Sequence, residues 1–296
     1  MSSIAAAVDA PAYGRASRPV VEMLRRALKL RRTQIGLLLF LVVLGVALLG
    51  PFFSPTSPTD SVGAPFGHSP NSSFGTDNLG RDVLSRFLWG GRSVFWLTTV
   101  ATGLGLLLGV SLGLVAAYAR NRLDDVLMRS MDVLLSFPQI ILTMVAVATV
   151  GPKLWLIVVT VALTTMPRVA RVVRGSALEI VERDFVRAAE AVGEARWRIL
   201  AGEVLPNVTG PLAVEASLRF TYTIAVISGL SFLGFGLQPP AADWGLMINE
   251  NRIGLQQAPW GVALPIIAIG LLTIGTGLIG DGLSRAIAGI DRGKGD

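Results

Sequence analysis

The chain has 296 residues, 52% of them hydrophobic and only 16% charged, with a mean hydropathy of +0.60 and a formal net charge of +6. Soluble domains carry about 25% charged residues, so the composition excludes an ordinary water-soluble globule. The Lys and Arg residues fall between apolar runs rather than on one soluble face, which excludes a nucleic-acid partner as the reason for the positive charge. Cysteine is absent, which removes disulfides, iron–sulfur clusters and thiolate zinc sites. The one histidine, His68, lies in a Pro/Ser/Asn-rich stretch with no partner at ligand spacing and reads as a solvated loop residue, so neither a metal nor a directly bound cofactor is expected.

The stretch up to Pro19 is rich in Ala, Ser and Pro and is expected to lack structure. Glu22 to Arg32 predicts a basic amphipathic helix lying on anionic headgroups. Apolar runs of the ~20 residues a bilayer requires then follow. The first, Ile35 to Leu49, stops at Gly50-Pro51; it starts late and lacks a small-residue cleavage site, so it reads as a span rather than a signal peptide. Pro51 to Gly75 reads as a structureless external loop, and Asp82 to Trp89 as a short helix on the membrane surface. The second span covers Ser93 to Ala119, with Gly105, Gly109 and Gly113 forming a small-residue stripe for close helix packing. The third runs from Leu127 to Val150 with Pro138 inside it, and the fourth from Leu154 to Thr165, reaching toward Val173. The fifth spans Val208 to Gly236, and the sixth Val262 to Ile279.

Basic residues orient these spans. Arg15 to Arg32, then Arg120, Arg122 and Arg129, then Arg168 to Arg198, and finally Arg285, Arg292 and Lys294 mark one side, which puts both termini in the cytoplasm. The expected division is a cytoplasmic segment 1–33, a first helix and external loop 34–92, a five-helix core 93–283 containing a cytoplasmic loop 174–206, and a tail 284–296.

Intramembrane charge is sparse: Arg219 lies within a span, while Asp132 and Asp281 lie nearer the cytoplasmic ends. An ion-coupled carrier needs carboxylates or histidines at mid-depth, so proton or sodium coupling is disfavoured. Arg219, with Ser228 and Ser231, is the candidate lining of a translocation path, although an arginine there can equally snorkel or bond to carbonyls.

The cytoplasmic loop is the most informative segment. Leu178, Val181, Phe185, Ala188, Ala189 and Val192 recur at helical spacing and predict one apolar helix face. Gly193 interrupts, because glycine takes the positive φ that ends a helix. A second helical stretch, Glu194 to Val204, exposes Arg196, Trp197 and Arg198, and Leu205-Pro206 is expected to close it. Such a unit between two spans looks like a docking knob.

The residues Asp184-Phe185-Val186-Arg187-Ala188-Ala189-Glu190-Ala191-Val192-Gly193, followed by Arg198-Ile199 and Leu205-Pro206-Asn207, resemble the EAA loop of ABC-importer permease subunits. Arg187 stands where that family usually has Glu. Gly75-Thr76-Asp77-Asn78-Leu79-Gly80-Arg81-Asp82-Val83-Leu84-Ser85-Arg86 resembles the external signature of the C-type subunit of dipeptide/oligopeptide permeases, with Gly75, Thr76, Asp77, Gly80, Arg81 and Asp82 as its candidate site residues. Asp132 to Pro138, Pro167, Arg171, Arg174, Gly175, Leu230 to Gly234, Trp244-Gly245 and Gly280 to Leu283 are similar to the same group. Ile227 stands where an intramembrane Glu is expected, and Ile290-Asp291-Arg292 replaces a Leu-Asp-Pro. The Asp77/Arg81/Asp82 cluster also has a plain reading, in which Asp82 caps a helix and the charges pair internally.

The resemblance implies an all-α polytopic membrane protein of about six helices, the MetI-like transmembrane domain of type I ABC importers. It implies a non-catalytic transport subunit whose loop residues Asp184, Arg187, Ala188, Ala189, Gly193, Trp197, Arg198, Leu205 and Pro206 couple to an ATPase. No GxxxxGK[ST] phosphate loop is present, so ATP and magnesium would sit on partner ATP-binding subunits. The other implied partners are a second, homologous permease subunit and an extracytoplasmic substrate-binding protein. Peptides are the expected cargo, with nickel chelates or another small solute as alternatives. A stand-alone carrier would show mid-membrane ionisable groups or an internal repeat, a membrane enzyme would show clustered His, Asp or Glu, and a scaffold subunit stays open.

Overall fold

In the computed structural model, residues 19–70 and 72–289 are described; the expectations for the stretch before Pro19 and for Ile290, Asp291, Arg292 and Lys294 lie outside them. The described residues begin with two helices, α1 (Pro19–Lys29) and α2 (Arg31–Leu49), parted only by Leu30, whose ψ of 128° is extended. Ile35, Leu38, Leu41, Val42 and Leu48 stand exposed on α2, an apolar surface that only lipid or another apolar face can cover.

The segment after α2 is ordered, not structureless. A 3-10 turn at Gly50–Phe53 leads into antiparallel bridges between Ser61 and Arg81 and between Thr76 and Asp82. The buried Thr76 hydroxyl donates to Ala64 O at 2.6 Å and accepts from Gly67 N at 2.8 Å. Short hydroxyl side chains bond the backbone here, giving the loop a shape that its low hydrophobicity did not foretell.

Next comes α3 (Val83–Ala119), a single helix of 37 residues. The short surface helix expected over Asp82 to Trp89 is the start of this element. It runs on through Gly90 and Gly91, which both face the Trp244 side chain and leave no room there for a Cβ, since one would lie within 3.0 Å of the indole. α4 (Arg122–Ser136) and α5 (Gln139–Val150) follow, bent by 78° at Phe137-Pro138, so the third expected span exists only as a broken pair. α6 (Leu154–Val181) carries Pro167 inside and runs well past Val173. A short α7 (Asp184–Ala191) and α8 (Arg196–Ile199) lead into α9 (Leu205–Phe232), and α10 (Trp244–Asn251) and α11 (Trp260–Ala288) complete the described chain.

Among the described residues, four helices are long and apolar enough to cross a bilayer: α2 with its 3-10 turn, α3, α6 and α11; the bent pair α4–α5 makes a fifth when taken as one span. The remaining expected span is α9, which has 28 residues but carries Glu215 and Arg219 and packs against α3, α6 and α11. α3 packs most extensively on α6. The glycine stripe explains this: a Cβ at Gly105, Gly109 or Gly113 would meet Thr165, Val169 or Val173 side chains at 2.9, 2.6 and 2.9 Å. Gly275 similarly brings α11 onto Gly36 of α2, whereas Gly229, Gly270 and Gly277 face open space.

Candidate functional site

The loop between α6 and α9 departs from the expected face pattern. α6 ends at Val181, and Arg183 is extended (φ −72°, ψ 149°) before α7 restarts. The restart shifts the helical phase. Val186 is therefore the buried residue of α7, while Phe185, Ala188 and Val192 are exposed and Ala189 is half-buried. Val186 joins Ile199 and Val204 in a cluster with Leu114 and Ala117 of α3, Val173, Ala177 and Val181 of α6, and Val208 of α9. Asp184 stands in the first turn of α7, where a carboxylate favours the helix dipole.

Gly193 ends α7 as expected, at φ +81°. Its N–H donates to Glu190 O at 3.0 Å and the Glu194 N–H donates to Ala189 O at 3.1 Å, the paired bonds of a Schellman motif. The second stretch differs from expectation. α8 passes through a π turn, Leu200–Val204, directly into α9, and Leu205-Pro206 opens that helix instead of closing the one before. The wide π turn accommodates a proline that lacks an N–H and would crowd the carbonyl one turn earlier.

Outward, the loop presents Trp197 (69% exposed) and Val192 (87% exposed), with the Arg198 guanidinium 5.8 Å from the Trp197 ring centre. Arg187 and Arg198 are exposed as well. Exposed Asp184, Glu190 and Glu194 stand among these cations, and such an apolar surface with charges of both signs, on a loop footed by three buried aliphatic side chains, suits a protein partner.

Ion pairs that sequence reasoning missed tie α3, α4 and α6 together beside this loop. Arg174 donates twice to Asp124, both bonds 2.6 Å, Arg171 pairs with Asp132, and Arg120 lies 3.2 Å from Glu182. Arg171, Arg174 and Glu182 fall on one side of α6 at helical spacing, a pattern that was present in the sequence.

The external signature folds into a buried network at the opposite end. Asp77 accepts from Leu79 N and Arg81 N, both at 2.9 Å, and from Arg81 Nε at 2.6 Å. Arg86 adds a contact to Asp77 at 3.2 Å, and Arg81 and Arg86 both reach Glu250 of α10, at 3.1 and 2.8 Å. Asp82 caps α3, accepting from Ser85 N at 2.8 Å, while Gly75 and Gly80 turn the loop at positive φ. The internally paired reading of this cluster describes its geometry. Arg86 ends the external signature read in the sequence, whereas Glu250 was absent from the expected site, since no local spacing links it to Arg81 and Arg86. Nearby, Asp243 caps α10 and accepts from Ser93 Oγ at 2.6 Å; burial pushes its carboxyl above the ordinary range, against these hydrogen bonds.

Within α9, Arg219 lies 2.8 Å from Glu215, one turn away, with its guanidinium 5.1 Å from the Tyr222 ring centre. Glu215, one helical turn from Arg219, is a buried carboxylate that the sequence reading did not single out, although the spacing was legible. Ser228 and Ser231 are buried near Gly245 of α10, where a Cβ would come within 2.6 Å of Ser231 Cβ.

Residues 105–289 match the family of binding-protein-dependent transport system inner membrane components. The chain belongs to that family. This permease is 33% identical, across 91% of its length and 89% of the relative's, to the dipeptide transport system permease protein of Alkalihalophilus pseudofirmus. It is 35% identical to the di/tripeptide transport system permease protein of Pseudomonas aeruginosa, covering 85% and 86% of the two chains. A glutathione transport system permease protein of Pectobacterium atrosepticum is 38% identical over 72% of this chain and 71% of its own. Among solved structures, a chain of the MetNI methionine ABC transporter superposes with a TM-score of 0.53 at 20% identity, covering 71% of this chain and 97% of that one, a likeness of fold. The permease is thus a multi-pass membrane protein of the ABC-importer class.

Proposed function

We propose that this permease forms one half of the membrane path of an ATP-driven importer of di- and oligopeptides. It works beside a second permease subunit, two cytoplasmic ATP-binding subunits that hold the ATP and magnesium, and an extracytoplasmic binding protein. The chain itself does no covalent chemistry. Both termini face the cytoplasm, on the strength of the arginine distribution.

The observation that carries this reading is the α7–α8 loop, which is anchored by Val186, Ile199 and Val204 while Phe185, Val192 and Trp197 face outward. The segment 174–206 is the coupling element and seats in the ATPase. A push on α7 reaches α6 and α9 through the three buried side chains. The Arg174–Asp124 and Arg171–Asp132 pairs carry it to the broken element α4–α5, where a rigid-body tilt opens and closes the membrane path. The peptide relatives support the cargo class. Asp77, Arg81 and Asp82 hold the external loop in shape, and Arg219 is held by Glu215 beside the path.

The test is ATP hydrolysis by the assembled complex. Peptide-loaded binding protein should stimulate it, and a Val192→Cys variant, unique in a chain without cysteine, should cross-link to a cysteine in the ATPase groove. Hydrolysis indifferent to peptide-loaded binding protein, or a Val192→Cys that never cross-links, would overturn the reading.

A further inference from the structure

α1 divides into three faces. Met23 and Ala27 are buried, packed with Leu283, Ala213, Val214, Ile279 and Ala286 on α9 and α11. Val21, Leu24 and Leu28 recur at helical spacing and are 54%, 44% and 50% exposed. Arg25, Arg26 and Lys29 are exposed on the rest, and Arg31 and Arg32 add two further exposed cations at the turn into α2. Glu22 is the one carboxylate in this stretch, 3.6 Å from Arg26. Water leaves the apolar stripe without a partner, and a protein groove suited to it would have to absorb five cations around it. An interface that is apolar on one side and anionic on the other satisfies both faces. The single extended residue Leu30 separates α1 from the membrane-spanning α2, so α1 is held at the depth where acyl chains meet phosphates. Beside it, between α1, α9 and α11, opens a pocket of about 370 Å³ whose walls include Arg26, Asn207 and Thr209.

We propose that α1 is a binding site for anionic phospholipid headgroups, with Arg25, Arg26 and Lys29 on the phosphates and Val21, Leu24 and Leu28 among the acyl chains. The bound lipid would clamp α1 onto the ends of α9 and α11. The inference needs only that α2 spans a bilayer and does not rest on the identity of the cargo.

The full chain can be reconstituted in vesicles of equal parts phosphatidylglycerol and phosphatidylcholine, then extracted, and its retained lipid counted by native mass spectrometry. Phosphatidylglycerol should be enriched over phosphatidylcholine. Each neutralisation in R25Q, R26Q and K29Q should lower that enrichment about fivefold at low salt, with the loss fading at high salt. A nitroxide on L24C, the sole cysteine of that variant, reports the depth independently: it should be shielded from a water-soluble relaxant and reached by oxygen. Equal retention of the two lipids by the wild-type chain, unchanged enrichment in the triple variant, or a label fully open to the aqueous relaxant would each overturn the site. Adding a cytosolic protein fraction that shields the label in detergent, with no lipid preference, would point to a protein occupant and would overturn it too.

Discussion

The two ends of the bundle are held by opposite means. At the end formed by residues 50–82 and α10, four charged side chains are taken almost wholly out of water: Asp77, Arg81, Arg86 and Glu250. At the other, the α7–α8 loop stands on three aliphatic side chains and leaves its largest one, Trp197, in solvent. Buried charges are costly to desolvate and tolerate few alternative geometries, whereas apolar contacts are non-directional and permit small slides. The first end is therefore built as a fixed frame, the second as a surface that can be pushed.

This contrast is open to mutation. The largest effect is expected for Arg86→Met or Glu250→Ala, which remove one of two opposite charges from a buried four-charge network and leave it out of balance; stability should drop by roughly 3–5 kcal/mol, read as a fall in the thermal midpoint of the detergent-solubilised complex. Retention of the wild-type midpoint would show that the frame is not rigid. Next comes Gly109→Leu, which forces a side chain into Val169 on α6 and should cost about 1–3 kcal/mol by overpacking; thermal unfolding checks it, and Gly103→Leu, facing open space, should be near neutral. Val186→Ala removes two buried methyl groups and should cost about 1.5 kcal/mol, felt locally as faster hydrogen exchange at 184–199 with little change at 77–86. The smallest stability change, within about 0.5 kcal/mol, belongs to Trp197→Ala, yet this variant should uncouple ATP hydrolysis from uptake. Normal coupling in it would remove the functional half of the comparison.

The sequence made parts of both ends legible, for physical reasons. Gly193 announced its break because a left-handed C-cap selects glycine, and the apolar runs announced α2, α3, α6 and α11 because lipid demands them. The inward face of α7 was misassigned because apolar periodicity was carried through Glu182 and Arg183, where the helix stops and resets its phase. Pro206 looked like a terminator because proline alone reads so; the π turn ahead of it left no local mark. Glu250 was invisible as the partner of Arg81 and Arg86, since only tertiary folding brings them together.

The unbroken run of α3 from Val83 to Ala119 has a mechanical consequence. At 1.5 Å per residue its 37 residues make a rod of about 55 Å, longer than a bilayer of about 40–45 Å with its headgroups. One tip is fastened to the charged frame, and the other turns into α4 beside the Arg120–Glu182 and Arg174–Asp124 ion pairs. Pivoting by about ten degrees around its midpoint would swing each tip by roughly 5 Å, close to one helical turn. A lever of that span lets a displacement on one side of the membrane be felt on the other through a single continuous piece of backbone.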